Sequence, residues 1–360
     1  MDGQSDPEGL EAMSWHVVPA TRFAEQASRW NVLHEACGAP SVLAPDFVAP
    51  LVAEFGSGRD LLARYERDGL VEAMALVTPI GRASWSTFQP AQAPVGLWLQ
   101  RPGLNTEQLA QGLMRALPGF PLVFGLTQLD PALLPRPVDT PAMRTFDYID
   151  TARVQLAGSF DDYWNARGKN LRANLKKQRA RLAKDGIVPR LEICRDPGQV
   201  AAAVADYGRL ESSGWKASCG TAVSASNAQG RYYRGMLEAF CARDAGSIYR
   251  YYFGEQLVAT DLCVEDRDSI VVLKTSYDES VPNSLSPTLL MREEATRRLF
   301  EDGRFRRLEF YGRVMEWHLR WTEDVRTMYH VNCYRWPGLR RLHMLLEASA
   351  RSRQAAHPPP

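Results

Sequence analysis

Three consecutive stretches decide how this chain is read: DSIVVLKTSYDE at 268–279, SVPNS at 280–284, and SPTLLMREEATRRLFEDG at 286–303. The β-branched centre of the first reads as a strand in the middle of a sheet. The second is a polar loop. In the third, Ser286 suits an N-cap and Pro287 the first helical position. Met291, Ala295 and Leu299 share one helical face, and Gly303 suits the residue past the helix end. A strand that runs through a loop into a helix leaves backbone N–H groups aimed outward, which favours a phosphate there. Asn283 and the hydroxyls of Ser284, Ser286 and Thr288 add donors. A plainly capped helix has the same local pattern, so the flanks carry the decision.

Upstream, SIYRYYFGEQLVATDLCV at 247–264 reads as a hairpin turning at Gly254-Glu255. Downstream, RLEFYG at 307–312 and MYHVNCYRW at 328–336 read as further strands. A similar layout precedes them: a helical stretch from Arg22 to Cys37, then LLARYERDGLVEAMALV at 61–77 with Asp68-Gly69 at its turn. Between the two lies PALLPRPVDTP at 131–141, whose four prolines read as a linker. A 360-residue chain is long enough for two domains. The expectation is therefore a duplicated α/β fold: an N-terminal domain over 1–150, a C-terminal catalytic domain over 151–345, and a disordered tail over 346–360.

Composition narrows the function classes. The net charge is +1, with 45% hydrophobic and 24% charged residues, an ordinary globular balance. No apolar run approaches the roughly 20 residues of a membrane helix. The acidic start, MDGQSDPEGLEAMS, lacks the basic and apolar regions of a secretion signal, which points to the cytoplasm. The six cysteines are scattered and read as buried free thiols. The dispersed histidines form no ligand pair, so no metal is expected. Gly56 and Gly58 in FGSGRDLL read as turn residues, because no strand leads into them and a third glycine is missing.

The order hairpin, strand, polar loop, helix, strand, strand resembles the Gcn5-related N-acetyltransferase (GNAT) fold. The closer resemblance is to double-domain acyltransferases of cellulose and exopolysaccharide biosynthesis, relatives of the Fem-type peptidyltransferases. It is carried by LRANLKKQRARLAKDG, by LESSGWK at 210–216, by FGEQLVA, by KTSYDE followed by Ser286-Pro287, and by EFYG followed by EWHLRW at 316–321. These span roughly 160–335. The resemblance implies tandem GNAT-like domains with mixed central sheets flanked by helices. It also implies an acyl donor, acyl-CoA or the phosphopantetheine of an acyl carrier protein, lying beside the central strand at Val272, Leu273 and Lys274, with its phosphates on Asn283, Ser284, Ser286 and Thr288. The family has Gly where Thr288 stands and Lys where His318 stands; a Cβ at 288 crowds a pyrophosphate.

Acyl transfer to an amine needs a base, an oxyanion donor and a proton for the leaving thiolate. Backbone N–H groups of the 270–275 strand can serve the oxyanion. Asp278, at the end of that strand, is the first candidate base, ahead of Glu309 and His318. Tyr277 and Tyr311 are candidate acids. Glu211, Trp215, Lys216 and Asp261 are candidates for the acceptor pocket. For each, a structural role is the competing reading. The implied function is acyl transfer to an amine or hydroxyl of a sugar or small metabolite, in polysaccharide or secondary-metabolite biosynthesis. A Fem-like transferase using aminoacyl-tRNA and a non-catalytic binding protein are the alternatives.

One stretch stands apart in charge. Between Arg167 and Lys184 lie eight Lys or Arg and no acid. Leu171, Leu175 and Leu182 share one face of the implied helix, so half of it packs and half carries charge. A solvated face is one reading. An anionic partner, such as donor phosphates, a carrier protein, a glycolipid or, in the alternative, tRNA, is the other.

Overall fold

A computed structural model describes residues 14–213 and 223–345. The expected tail, 346–360, lies outside the described residues. In chain order the first half forms β1 (Ser14–Pro19), α1 (Phe23–Ala36), α2 (Pro45–Phe55), β2 (Leu61–Arg67) and β3 (Leu70–Gly81). β4 (Ser84–Thr87), β5 (Trp98–Gln100), α3 (Thr106–Ala116), β6 (Val123–Leu129) and β7 (Met143–Gln155) follow. The second half begins with α4 (Phe160–Asn165), α5 (Lys169–Lys184), β8 (Pro189–Cys194), α6 (Pro197–Ser213) and α7 (Ala228–Cys241). It ends with β9 (Gly246–Phe253), β10 (Gln256–Glu265), β11 (Ser269–Tyr277), α8 (Pro287–Asp302), β12 (Arg307–Phe310), α9 (Glu316–Leu319) and β13 (Val325–Tyr334). No helix among the described residues is long and apolar enough to cross a membrane.

The chain divides into two compact units. Unit 1 takes Met1–Ala39, Gly56–Tyr148 and Tyr329–Pro360; unit 2 takes Pro40–Phe55 and Ile149–Met328. In unit 1 the strand order is β1-β2-β3-β4-β6-β13, with β5 added on β3. All neighbours are antiparallel except β4 and β6, which are parallel and joined through α3. In unit 2 the order is β8-β9-β10-β11-β12-β7, again antiparallel except for one parallel pair, β11 and β12, joined through α8. The two six-strand paths thus share one topology, apart from the added β5, and the chain is a duplicated α/β fold as the sequence leads one to expect.

The sixth strand of each unit comes from the other half of the sequence. Ala152–Gln155 of β7 pair with β12 in unit 2, and Tyr329–Tyr334 of β13 pair with β6 in unit 1. The chain passes between units four times: at Ala39 to Pro40, at Phe55 to Gly56, at Tyr148 to Ile149 inside β7, and at Met328 to Tyr329 inside β13. The proline-rich stretch at 131–141 is therefore not the linker it resembles. It is an irregular strap within unit 1, held by Leu133 and Leu134 N–H donating to the Asp130 carbonyl and by Tyr329 Oη donating to the Leu134 carbonyl. Proline excludes regular structure, but it does not by itself mark where cores separate.

Local signals explain the elements that frame unit 2. Pro287 stands at the start of α8, and Gly303 ends it in the left-handed region at φ 60°. On α5, Leu171, Leu175 and Leu182 are buried and pack with β9, β10 and α8 residues. Each contributes roughly 1.5–3 kcal/mol of burial. α2 packs on α7, with Phe47 and Phe55 each edge-on to Tyr232 at 5.8 and 5.5 Å. Glu54–Arg231 and Asp46–Arg243 ion pairs, both 2.8 Å, flank that contact.

The units differ where their parallel strands end. In unit 1, Thr87 and Thr127 hydroxyls lie 2.6 Å apart, Thr127 also donates to Gln89, and Gly96 N–H donates to the Gln128 carbonyl. The segment around Gly96 thus closes the opening between β4 and β6. A Cβ on Gly96 would stand 2.0 Å from the Thr127 carbonyl oxygen, whereas one on Gly235, within α7, meets nothing within 4 Å. Chemical denaturation should separate the two. Gly96→Ala is expected to lose about 1–3 kcal/mol or more through overpacking, and Gly235→Ala to gain about 0.5–1 kcal/mol.

Candidate active site

β11 and β12 run together only from Ser269/Arg307 to Val271/Glu309. β11 then continues to Tyr277, paired only with β10 among the described ladders. The register against β10 steps between Leu262 and Cys263, from Lys274 to Val272, so Leu273 is a bulge residue without a cross-strand partner. A central strand thereby offers a bare main-chain edge for six residues. The bulge also turns the side chains that follow it: Lys274 toward α6 and α7, Thr275 toward α8.

Past Tyr277 the chain leads directly to the α8 start. Asp278 N–H donates to the Val258 carbonyl, and its carboxylate accepts from Ser280 N–H and Gln256, each at 2.8 Å. Partial burial pushes this carboxyl up, but the donations from Ser280 and Gln256 outweigh it and hold it below the ordinary range. Asp278 thus caps its own turn and is a weak base. Ser286 forms no side-chain cap; its N–H donates to Gln178 Oε1 at 2.7 Å, and Arg181 donates to the Ser284 hydroxyl. Gln178 and Arg181 both belong to α5, so the basic helix lies against the phosphate-binding loop read from the sequence. Asn283 and Ser284 are exposed there, and Thr288 is half-buried.

On the α6/α7 side, Lys274 Nζ lies 3.2 Å from Glu211 Oε1 and 5.7 and 5.4 Å from the Tyr207 and Tyr233 ring centres. Glu211 is buried, and also accepts from Val223 N–H at 2.8 Å and from Tyr207 Oη at 3.3 Å. Burial raises both tyrosine pKa values above the ordinary phenol range, so these rings stay protonated. Trp215 and Lys216 lie outside the described residues.

On the α8 side, Asp261 accepts from Thr275 at 2.5 Å and pairs with Arg292 at 2.7 Å. Asp261 therefore faces a different side of the sheet from Glu211. Glu309 is buried between Arg307 at 3.5 Å and Arg326 at 2.9 Å, an ion-paired position. Tyr311 is buried with the Arg326 guanidinium 5.3 Å from its ring centre, while Tyr277 is exposed. Val272 packs against the unit 2 core, and Leu273 marks the bulge. The candidates are thus spread over three places: the turn after β11, the α6/α7 side, and the α8/β12 side.

Thr275, Tyr207, Tyr233, Gln178 and Arg292 are absent from the sequence reading, and Arg181 entered it only as one cation of the basic run at 167–184. Among those five, only Gln178 left a trace in the pattern. It continues the spacing of Leu171, Leu175 and Leu182 on the buried face of α5, and a polar residue there needs a partner. Among the described residues, no group of three or more His, Cys, Asp or Glu is placed to hold a metal ion.

His318 is buried on α9, stacked on Trp317 at 3.5 Å and edge-on to Phe310 at 5.3 Å. Its Nδ1 accepts from Met315 N–H at 3.0 Å. Burial pushes its pKa down to about 4, and the nearby Arg292 cation adds to the shift. The folded ring is neutral, whereas the unfolded ring takes a proton near its ordinary value. The stability this provides is complete above about pH 6.5 and is lost as pH falls toward 4, on the order of 2–3 kcal/mol. Thermal melts across that range should show His318→Phe gaining on the parent as pH drops; a constant difference would rule out the neutral buried ring.

Residues 169–352, which is 184 of the 360, match the model of the acetyltransferase (GNAT) domain. No curated protein matches the chain. Among solved structures, a domain assigned as the C-terminal part of a lysylphosphatidylglycerol synthetase from Agrobacterium fabrum aligns at 15% identity and a TM-score of 0.55. That alignment covers 86% of this chain and 92% of that one. L-PGS from Bacillus licheniformis aligns at 14% identity, 86% and 91% coverage, and a TM-score of 0.51. FemX aligns at 8% identity, 89% and 98% coverage, and a TM-score of 0.53. At these identities the likeness is one of fold. The family match covers the parted strands, the loop and the capped helix together, and by it the chain belongs to the GNAT acetyltransferase-domain family.

Proposed function

We propose that unit 2 transfers an acyl group from a phosphopantetheine thioester, acyl-CoA or an acyl carrier protein, to an amine or hydroxyl of a sugar or small metabolite. Polysaccharide or secondary-metabolite biosynthesis is the setting this chemistry suits. The reading rests above all on the parting of β11 from β12 after Val271, because it leaves main-chain donors bare beside a loop equipped with Ser284, Ser286 and Arg181. A pantetheine arm laid along that edge satisfies the bare groups, and the loop takes the phosphates. The Thr288 Cβ crowds such a phosphate, and the Arg181 cation beside Ser284 offsets that cost. Unit 1 supports the fold, since its equivalent opening is closed by Thr87, Thr127, Gln89 and the segment at Gly96.

A thioester carbonyl on this edge accepts from backbone N–H of β11, which stabilises the developing oxyanion. The acceptor approaches from the α6/α7 side. There Glu211 takes the amine proton and Lys274 gives one to the departing thiolate, as the C–N bond forms and the C–S bond breaks. The base is assigned to Glu211 rather than Asp278, because Asp278 is held below the ordinary carboxylate range by its own turn. Glu309 serves as the ion-paired anchor of β12, Tyr311 packs beside its partner Arg326, and Tyr277 stays exposed at the end of β11.

The charged side of α5 bears on the donor's size. Lys169, Lys176, Lys177 and Lys184 are exposed and form no ion pair among the described residues, while Arg179 pairs with Glu293 at 2.9 Å. Four such cations on the helix whose Gln178 and Arg181 reach the loop suit a donor larger than CoA, either an acidic carrier protein or, as the second reading, an aminoacyl-tRNA.

Calorimetry with CoA is the direct test. The parent should bind, and Ser286→Glu should weaken binding at least tenfold by placing an anion at the phosphate position. Glu211→Gln should leave CoA affinity unchanged and lower turnover roughly a hundredfold or more. A parent that ignores CoA but binds tRNA with steep salt dependence would favour the second reading.

A further inference from the structure

The core of unit 2 contains an ion pair that the chemistry above does not use. Asp261 on β10 is 1% exposed and Arg292 on α8 is 5% exposed, and their charged atoms meet at 2.7 Å. Asp261 lies opposite Thr275 in the β10–β11 register and accepts its hydroxyl at 2.5 Å. Thr275 belongs to the stretch of β11 that has left β12. The Arg292 guanidinium lies 5.1 Å from the ring centre of Phe310, the last residue of β12, and that ring is packed in turn by Trp317 and His318. One buried pair therefore touches the departing strand, the remaining strand and the helix whose start forms the phosphate loop.

A buried ion pair is a poor way to gain stability. Removing two charges from water costs several kcal/mol each, and apolar residues of similar size often do as well or better. Here burial pushes the Asp261 carboxyl above its ordinary value despite Arg292 and Thr275, in line with that cost. What the pair supplies and apolar packing does not is direction. Asp261 accepts from Thr275 through Oδ1 while Oδ2 lies 2.7 Å from the Arg292 guanidinium as an ion pair, and the planar guanidinium also lies over the Phe310 ring.

We propose that Asp261 and Arg292, acting through Thr275 and Phe310, are positioning residues that fix the separation of β11, β12 and the start of α8. This rests on the reading of that opening as the donor cleft. Without the pair the cleft still exists but is no longer held at the width a thioester arm requires. Neither residue touches the reacting atoms.

The test is the double variant Asp261→Leu with Arg292→Met, which removes both charges together and so avoids a lone buried ion. Hydrogen exchange is compared with the parent, residue by residue, and CoA binding is measured in parallel. The proposal expects a melting temperature near the parent's, exchange at least tenfold faster at 272–277 and 286–290, unchanged exchange in β9 and α6, and CoA affinity at least tenfold weaker. Thr275→Val keeps the pair and the shape but cuts the link to β11. It should reproduce the faster exchange at 272–277, and it decides the matter if the double variant does not fold. Parent-like exchange at those amides, or a uniform rise across unit 2, overturns the clamp. If the parent itself binds neither CoA nor a phosphopantetheine-loaded carrier protein, the donor reading fails, while the exchange result still decides whether the pair holds the strands.

Discussion

A strand inside a sheet normally has both edges hydrogen bonded, and β11 gives up one of them after Val271. Every buried main-chain donor and acceptor needs a partner, so such an edge persists only where water or a ligand reaches it. The surroundings of β11 answer to this requirement. The bulge at Leu273 re-aims the side chains that follow, Asp278 ties the end of the strand into a turn, and Gln178 anchors the chain where it enters α8. The opening is therefore built into the backbone, and side chains refine it from either side of the sheet.

Unit 1 shows what the same topology does when that requirement is met internally. Its strands are ordered alike and its one parallel pair is in the same place. Yet threonine and glutamine side chains and the close approach of Gly96 to Thr127 fill the gap. Two copies of one fold thus reach opposite outcomes through a handful of residues at the ends of two strands. The basic helix finds its explanation in unit 2 by similar means. Its leucines bury one face, Arg179 and Arg181 engage α8 and the loop, and the remaining lysines face solvent.

Much of this was legible in the chain. The stretch from 268 to 303 determined strand, loop and helix, because β-branched residues, a Ser-Pro start and a terminal glycine act within a few residues of one another. The hairpin at 61–77 was equally clear, since Asp68 and Gly69 adopt positive φ, 51° and 73°, as a tight turn requires. The leucine spacing of α5 determined which of its faces packs. The family resemblance of 160–335 followed from motifs of this local kind.

What the sequence alone could not determine depended on distance along the chain. The prolines at 131–141 advertise a boundary, but the strands that pass between the units are β7 and β13, because strand exchange is decided by which partner pairs across more than 150 residues. Asp278 and Glu309 looked alike as strand-end carboxylates until their neighbours appeared, a turn for one and two arginines for the other. Asp261 and Arg292 are 31 positions apart, and Lys274 and Glu211 are 63. Local patterns set the elements because propensity and capping act over one turn or one hairpin. The charge partners, and with them which residue is base, anchor or clamp, emerge only when the sheet brings remote segments within a few ångströms.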